Sequence, residues 1–264
     1  MATVAQQRRS NMADFAPFGV SRGSRVVSQA LLRKLSSFVD LNGEEVSLLS
    51  RLTTDIRAAP AKRDIYSEGN RPHYLHLIVE GWAARYRILP DGTRQITAFL
   101  LPGDFCDLHV SILKRMDHSV TALTNCKVAW IVSDLFDQLT AEHPRLTRGL
   151  WWCTLLDEAI LRAWIVNLGR RDAYHRIAHQ ICEMHHRLSM IGLVENGRFD
   201  FPVTQVELSD ATGLTPVHVN RILKRLRTER IIDLSRKEVC VRNLDTLQRI
   251  AEFDPTYLHM GRRH

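Results

Sequence analysis

The 264-residue sequence predicts an α+β protein: an N-terminal antiparallel β-barrel or jelly roll, one long helix, and a small C-terminal helical domain finished by a β-hairpin. Three observations predict it. Short β-rich runs separated by Gly, Pro and Asp turn signals fill residues 56–132. A helical apolar pattern runs without a break from about Arg145 to Leu168. Two short helical segments meet at Gly213, and two β-rich runs around a basic turn follow them.

In chain order, residues 1–28 are polar and Arg-rich, lack a signal-peptide apolar core, and are expected to be a flexible tail. From Gln29 to Leu52, leucines spaced by three and four predict helices. "YLHLIVEG", "WAARYRIL", "QITAFLL" and "CKVAWIV" read as strands, divided by Glu80-Gly81, Pro90-Asp91-Gly92 and Pro102-Gly103-Asp104. Asp91-Gly92 between alternating runs is a hairpin signal. Ser133 is the expected N-cap of "DLFDQL". The long helix that follows His143-Pro144 is apolar on two sides. Trp152, Leu156, Ala159, Ala163 and Val166 form one stripe; Leu161, Trp164, Ile165 and Leu168 mark another. Such a helix needs two things to bury it. One is its own β-domain. The other is expected to be the same helix of a second subunit, against the Trp152–Val166 stripe, a helix inside one large monomer being the alternative. A second helix, about Asp172 to Met190, places Asp172, His175, His179, Glu183 and His186 on one face. His175 and His179 have the spacing of a metal pair, but no further ligand motif completes it. A solvated polar face opposite Ile177, Ile181, Met184 and Leu188 is the expectation.

A net charge of +7 favours a polyanionic partner. Cys106, Cys126, Cys153, Cys182 and Cys240 lie far apart with no C-x-x-C pair, which excludes zinc-ribbon and iron–sulfur spacings and fits a reducing cytoplasm. No window approaches about 18 apolar residues, so no membrane span is expected. G-x-S-x-G, H-E-x-x-H and P-loop patterns are absent, so neither an enzyme nor a cofactor is expected.

Chemistry concentrates in "FDFPVTQVELSDATGLTPVHVNRILKRLRTERIIDLSRKEVCV". Phe199–Val203 reads as a short strand. Thr204 and Glu207 make a capping box, and Val206, Leu208 and Ala211 give the helix a buried side. Gly213 supplies the left-handed end, Leu214 plugs the turn, Thr215 caps the next helix and Pro216 fits its first turn. This is a helix-turn-helix. On the second helix Val219, Ile222, Leu223 and Leu226 face inward; Val217, Asn220, Arg221, Lys224 and Thr228 face out, flanked by Arg225, Arg227 and Arg230. A cationic exposed helix suits the major groove of double-stranded DNA. Arg221 can pair with guanine and Asn220 with adenine, while Lys224 and Arg225 are placed for phosphates. Arg236 and Lys237 tip a hairpin wing able to touch the DNA backbone. Thr204, Thr215, Pro216, Val217 and His218 complete the expected DNA surface.

Over about residues 29–245 the chain resembles the Crp/Fnr family of bacterial transcription regulators, through "PGDF", the long helix and "VTQVELSDATGLTPVHVNRILKRL". The resemblance implies a cyclic-nucleotide-binding-like sensor domain (29–143), a dimerisation helix (144–169), a winged helix-turn-helix (170–245) and a C-terminal tail (246–264). It further implies a cytoplasmic homodimer on a pseudo-palindromic promoter site, with RNA polymerase as partner. In cyclic-AMP-binding members a Gly-Glu-Leu after "GDF" and a later Arg-Ser hold the ribose and the phosphate. Here Asp107-Leu108-His109 and His118-Ser119 stand at those positions, so cyclic nucleotide is not expected to bind in that mode. His118 is a phosphate partner only when protonated. The N-terminal cysteine cluster of oxygen-sensing members is absent too. The candidate effector segment therefore comprises Gly103, Asp104, Cys106, Asp107, Leu108, His109, His118 and Ser119, with its effector unknown. Cys106, His109, His118 and Asp104 could instead serve redox, haem or metal sensing, against a plain alternative of a partly buried cysteine and surface histidines. Many members carry a cytosine-reading glutamate where this chain has Val217, which could contact a thymine methyl; Arg221 matches the family's guanine-reading arginine; Asn220 replaces a small residue. A nonspecific architectural DNA binder and an enzyme using the barrel pocket are the competing readings.

Overall fold

The computed structural model describes residues 28–259 apart from 72, 109 and 111. The expected N-terminal tail thus lies outside the described residues, save Ser28, which caps helix α1 (Gln29–Ser36). Helix α2 (Gly43–Leu52) opens on a capping box between Asn42 and Glu45. Strands β1 (Ile56–Ala59), β2 (Asp64–Tyr66), β3 (Tyr74–Glu80), β4 (Ala83–Ile88), β5 (Arg94–Leu100), β6 (Ser119–Ala122) and β7 (Cys126–Val132) follow. Among the described residues they form two antiparallel sheets, ordered β1–β7–β3 and β2–β6–β4–β5. Leu75, Leu77, Val128 and Ile131 from one sheet meet Ala83, Leu100, Val120 and Ala122 from the other in one core. The predicted barrel or jelly roll is therefore a pair of facing sheets.

Helix α3 (Ser133–Glu142) starts straight out of β7. Val132 occupies the cap with no side-chain bond, so Ser133 is the first helical residue and not the N-cap expected. Helix α4 (Pro144–Arg170) crosses the whole molecule. Its first half places Leu146, Leu150 and Cys153 in the β-sheet core. Its second half places Leu156, Ile160 and Trp164 in another core, shared with α5 (Ala173–Met190) and the C-terminal domain. That domain contains β8 (Arg198–Asp200), α6 (Gln205–Thr212), α7 (Pro216–Thr228), β9 (Ile232–Ser235), β10 (Glu238–Val241) and α8 (Leu244–Ala251). Its sheet is ordered β8–β10–β9. The strand expected over Phe199–Val203 is shorter and earlier.

Two expectations fail together. Residues from 246 on are not a tail: α8 and a 3₁₀ turn, Pro255–Leu258, pack on α5. Consequently the polar face of α5 is solvated chiefly at its start, where Asp172 is exposed and His175 partly so. His179 and Glu183 are buried, with the rings of Phe253 and Tyr257 5.1 and 6.1 Å from the His179 ring. Tyr257 stacks on His179 and Phe253 meets it edge-on, covering what would otherwise be a wet surface.

The joint between the two domains is a buried chain of alternating charges. Lys34 Nζ lies 2.8 Å from Asp104 Oδ1, and Arg187 Nη2 lies 2.7 Å from Asp104 Oδ2. Arg187 Nη1 reaches Glu183 Oε1 at 3.2 Å. The Glu183 carboxylate also accepts from Trp164 Nε1 at 3.0 Å and from the Tyr257 hydroxyl at 3.1 Å. All four charged side chains are at most 7% exposed. Burial would raise the Asp104 carboxyl, but Lys34 and Arg187 outweigh it and hold it below the usual carboxylate range. Gly103, at φ +86°, lets α1 sit on this turn: a Cβ would come within 2.8 Å of the Ala30 backbone.

Replacing Asp104 by Ala leaves Lys34 buried without its carboxylate and Arg187 with Glu183 alone as charged partner. The loss should be about 3–5 kcal/mol of stability, read as a fall in the denaturant midpoint. A second outcome concerns acid. Burial, reinforced by Arg57 for His76 and by Arg171 for His179, lowers these imidazoles to about 4 and about 3. In the unfolded chain each titrates near 6.5, so the unfolded state alone takes protons as pH falls below that value. Their stabilisation is complete above pH 6.5 and is lost towards the folded pKa, at about 1.4 kcal/mol per pH unit per histidine. Urea unfolding from pH 7 to 4.5 should show this slope, and His76→Phe should remove one histidine's share. An unchanged slope in that variant would count against the assignment.

Candidate nucleic-acid interface

Local chemistry fixes the two helices of the C-terminal domain. Thr204 caps α6 by accepting from Glu207 N at 3.2 Å, while Glu207 Oε2 accepts from Thr204 N at 2.8 Å. Gly213 ends α6 at φ +65°. Thr215 caps α7 by accepting from His218 N at 3.2 Å, and Pro216 sits at its first turn. Leu208 and Ala211 are buried as expected, but Val206 is 53% exposed, and Leu214 is only half-buried. The reason is the neighbour of α6. Its inward face meets β5 and the turn before β2: Lys62 pairs with Glu207, and Arg94 Nε lies 2.8 Å from Asp210 Oδ2. No sequence signal marks these partners, which come from the other domain.

Helix α7 divides cleanly. Val219, Ile222, Leu223 and Leu226 are buried. Asn220, Arg221, Lys224, Arg227 and Thr228 are exposed, and Val217 is 81% exposed. An apolar side chain standing that far into water at a helix start has no packing role in the isolated chain. Asn220, Lys224 and Arg227 share a concave surface of about 450 Å³ with Gln205, a residue sequence reasoning missed although it follows the cap of α6. Arg225 is different. Its Nε lies 2.7 Å from Glu229 Oε1, and its guanidinium sits 3.9 Å from the centre of the Tyr174 ring, whose hydroxyl also donates to Glu229. The expected phosphate role for Arg225 thus competes with an internal ion pair and a cation–π contact. Arg236, at φ +48°, and Lys237 form the exposed tip of the β9–β10 hairpin.

The candidate effector segment is not brought together as a cradle. Asp104 belongs to the domain joint, and Gly103 abuts α1. Cys106 is fully buried; burial pushes its thiol up, and its carbonyl accepts from Arg85 Nη2 at 2.7 Å. Leu108 is buried, Asp107 half-buried, and His109 lies outside the described residues. His118 is no surface histidine. Its Nδ1 lies 2.7 Å from Asp117 Oδ1 and its Nε2 2.7 Å from the Tyr66 hydroxyl. Burial lowers its pKa despite Asp117. Ser119 Oγ accepts from Glu68 N at 2.8 Å. His175 pairs with Asp172 at 2.7 Å, while His179 lies inside the core, so the two do not form a site.

The long helix also differs from its expected stripe. Leu156 and Ala159 are buried within the protomer, and Trp152 stacks on Phe38 at 5.3 Å. The β-domain and the 3₁₀ turn rotate the free face round to Trp151, Leu155, Ile165 and Val166, exposed by 62, 49, 69 and 50%. Ala163 is half-buried beside them.

No helix among the described residues is long and apolar enough to cross a membrane. Residues 175–250 match the family model of the Crp-like helix-turn-helix domain, and residues 56–143 that of the cyclic nucleotide-binding domain. The chain is 28% identical over 199 residues to the transcriptional activator protein FnrL of Cereibacter sphaeroides, covering 74% of this chain and 79% of that protein. It is 30% identical over 165 residues to the nitrogen fixation regulation protein FixK of Bradyrhizobium diazoefficiens, covering 61% of this chain and 67% of the relative. The solved structure of FixK2 from Bradyrhizobium japonicum superimposes with a TM-score of 0.67 at 26% identity, over 74% of this chain and 96% of that one. With both domains matched in order and the fold shared, the chain belongs to the Crp/Fnr family of DNA-binding transcription regulators.

Proposed function

We propose that this regulator binds a pseudo-palindromic promoter site as a homodimer, reads it with the outer face of α7, and engages RNA polymerase there. The observation that carries the reading is the division of α7, whose capped, packed inner face presents Val217, Asn220, Arg221 and Lys224 to solvent. Arg221 pairs with guanine, Asn220 with adenine, and Val217 contacts a thymine methyl. Lys224, Arg236, Lys237 and the starts of both helices at Thr204, Thr215, Pro216 and His218 serve phosphates. Arg225 does so only by giving up Glu229. Two copies pair through Trp151, Leu155, Ile165 and Val166, exposed apolar residues, on either side of the Glu158–Arg162 ion pair, that one chain leaves open. Their recognition helices then enter major grooves one helical turn apart. Control by cyclic nucleotide in the standard mode is not part of the proposal, since His118 and Asp104 are engaged by neighbours.

Selection from a random duplex library at physiological salt should return a two-fold-symmetric motif. Arg221→Ala should cost about 1–3 kcal/mol and relax one base position, whereas Lys224→Ala should weaken all duplexes alike and flatten the salt dependence. Equal behaviour of the two variants on every duplex would refute the base-reading role. Ile165→Glu, read by sedimentation, should shift the chain towards monomer because it puts a charge into the apolar stripe.

A further inference from the structure

The hinge between α4 and α5 is short. Arg171 ends α4 in an extended conformation, and Asp172 already caps α5. A rotation there would swing the whole C-terminal domain on the long helix. Residues 252–259 lie beyond the helix-turn-helix match, which stops at 250, yet they are packed along this hinge. Arg171 Nη2 donates to the Glu252 carbonyl at 3.3 Å. Phe253 stacks on His186 at 5.1 Å, and Tyr257 stacks on His179 at 6.1 Å with 12° between the rings. The Tyr257 hydroxyl reaches buried Glu183 at 3.1 Å, and Leu258 is buried. His259 meets Trp152 edge-on, 5.2 Å away, and Trp152 also stacks on Phe38 of the first domain. One short segment therefore touches α5, the hinge and α4, and through Trp152 the sensor-like domain. Any rotation at Arg171 must break several of these contacts together.

We propose that Glu252–His259 is a strap that, together with the buried charged joint, holds the angle of the DNA-binding domain, with Tyr257 and Arg171 as positioning residues. The proposal rests on the reading of α7 as the DNA-recognition helix. A dimer must hold two such helices at one spacing, so a loosened hinge weakens binding to a paired site. It leaves the preference of each half-site, and the number of phosphates contacted, unchanged.

The test compares the full chain with a chain ended after Glu252 and with Tyr257→Phe, by hydrogen exchange and by DNA titration. Exchange at residues 168–174 should quicken about tenfold on truncation and about two- to threefold in Tyr257→Phe, with the amides of Val219–Leu226 unchanged. Affinity for a two-half-site duplex should fall by a similar factor while affinity for a single half-site and the salt slope stay constant. Hinge exchange unaltered in both variants would overturn the strap. So would acceleration spread evenly over the chain, or equal loss on full and half sites, since both mark a general loss of stability. If truncation prevents folding, Tyr257→Phe alone decides by the same criteria. Exchange is read without DNA, so a failure of the recognition-helix reading leaves this result standing.

Discussion

Four polar side chains shut away from water fix how the two domains sit against each other. Lys34, Asp104 and Arg187 alternate in sign, and Glu183 closes the chain as acceptor for Arg187, its carboxyl pushed up by burial. Removing such groups from water is expensive, and the expense is offset only when every member has its partner in place. Because Lys34 comes from α1, Asp104 from the turn after β5, and the other two from α5, satisfying the charges fixes three elements at once. Apolar contacts line the same joint: Phe99 meets Trp164 at 5.7 Å, and Trp82 meets Phe201 at 6.0 Å. The apolar surface supplies most of the attraction, and the charges select one geometry among the many that grease alone would allow.

This arrangement gives the Pro102-Gly103-Asp104 turn a role different from a ligand cradle. Its glycine admits α1 and its aspartate joins the charge chain. The nearby segment is knitted to the protein itself, through Arg85 on the Cys106 carbonyl and through Tyr66 and Asp117 on His118. The outer face of α7, by contrast, keeps its polar groups turned to water. Rigid, mutually paired chemistry thus lies between the domains, and water-exposed cationic chemistry lies at the surface.

Where the signal was local, the sequence was readable. Thr204 with Glu207, Gly213, and Thr215-Pro216 each act within a few residues, and all stand where their chemistry placed them. The inner face of α7 and the wing followed from periodicity and turn chemistry. What stayed hidden needed distant partners. Nothing near Glu183 announces Trp164 and Tyr257, and nothing near Arg225 announces Tyr174. The stripe on α4 was misplaced because its apolar residues outnumber one face, and only the packed β-domain and the 3₁₀ turn reveal which of them remain outside. Residues from 246 on read as a tail because their helix is only two turns long, and its amphipathic side, with Leu247 and Ala251 buried, finds its meaning only against the distant α5.

Helix α4 belongs to two cores, with Leu146, Leu150 and Cys153 in one and Leu156, Ile160 and Trp164 in the other. Melting either core therefore exposes half of a continuous helix that the other core needs. Two domains joined by a loose linker would unfold in separate calorimetric transitions. Here the shared helix transmits unfolding from one to the other, so the protein should melt as a single cooperative unit in spite of its two-domain architecture.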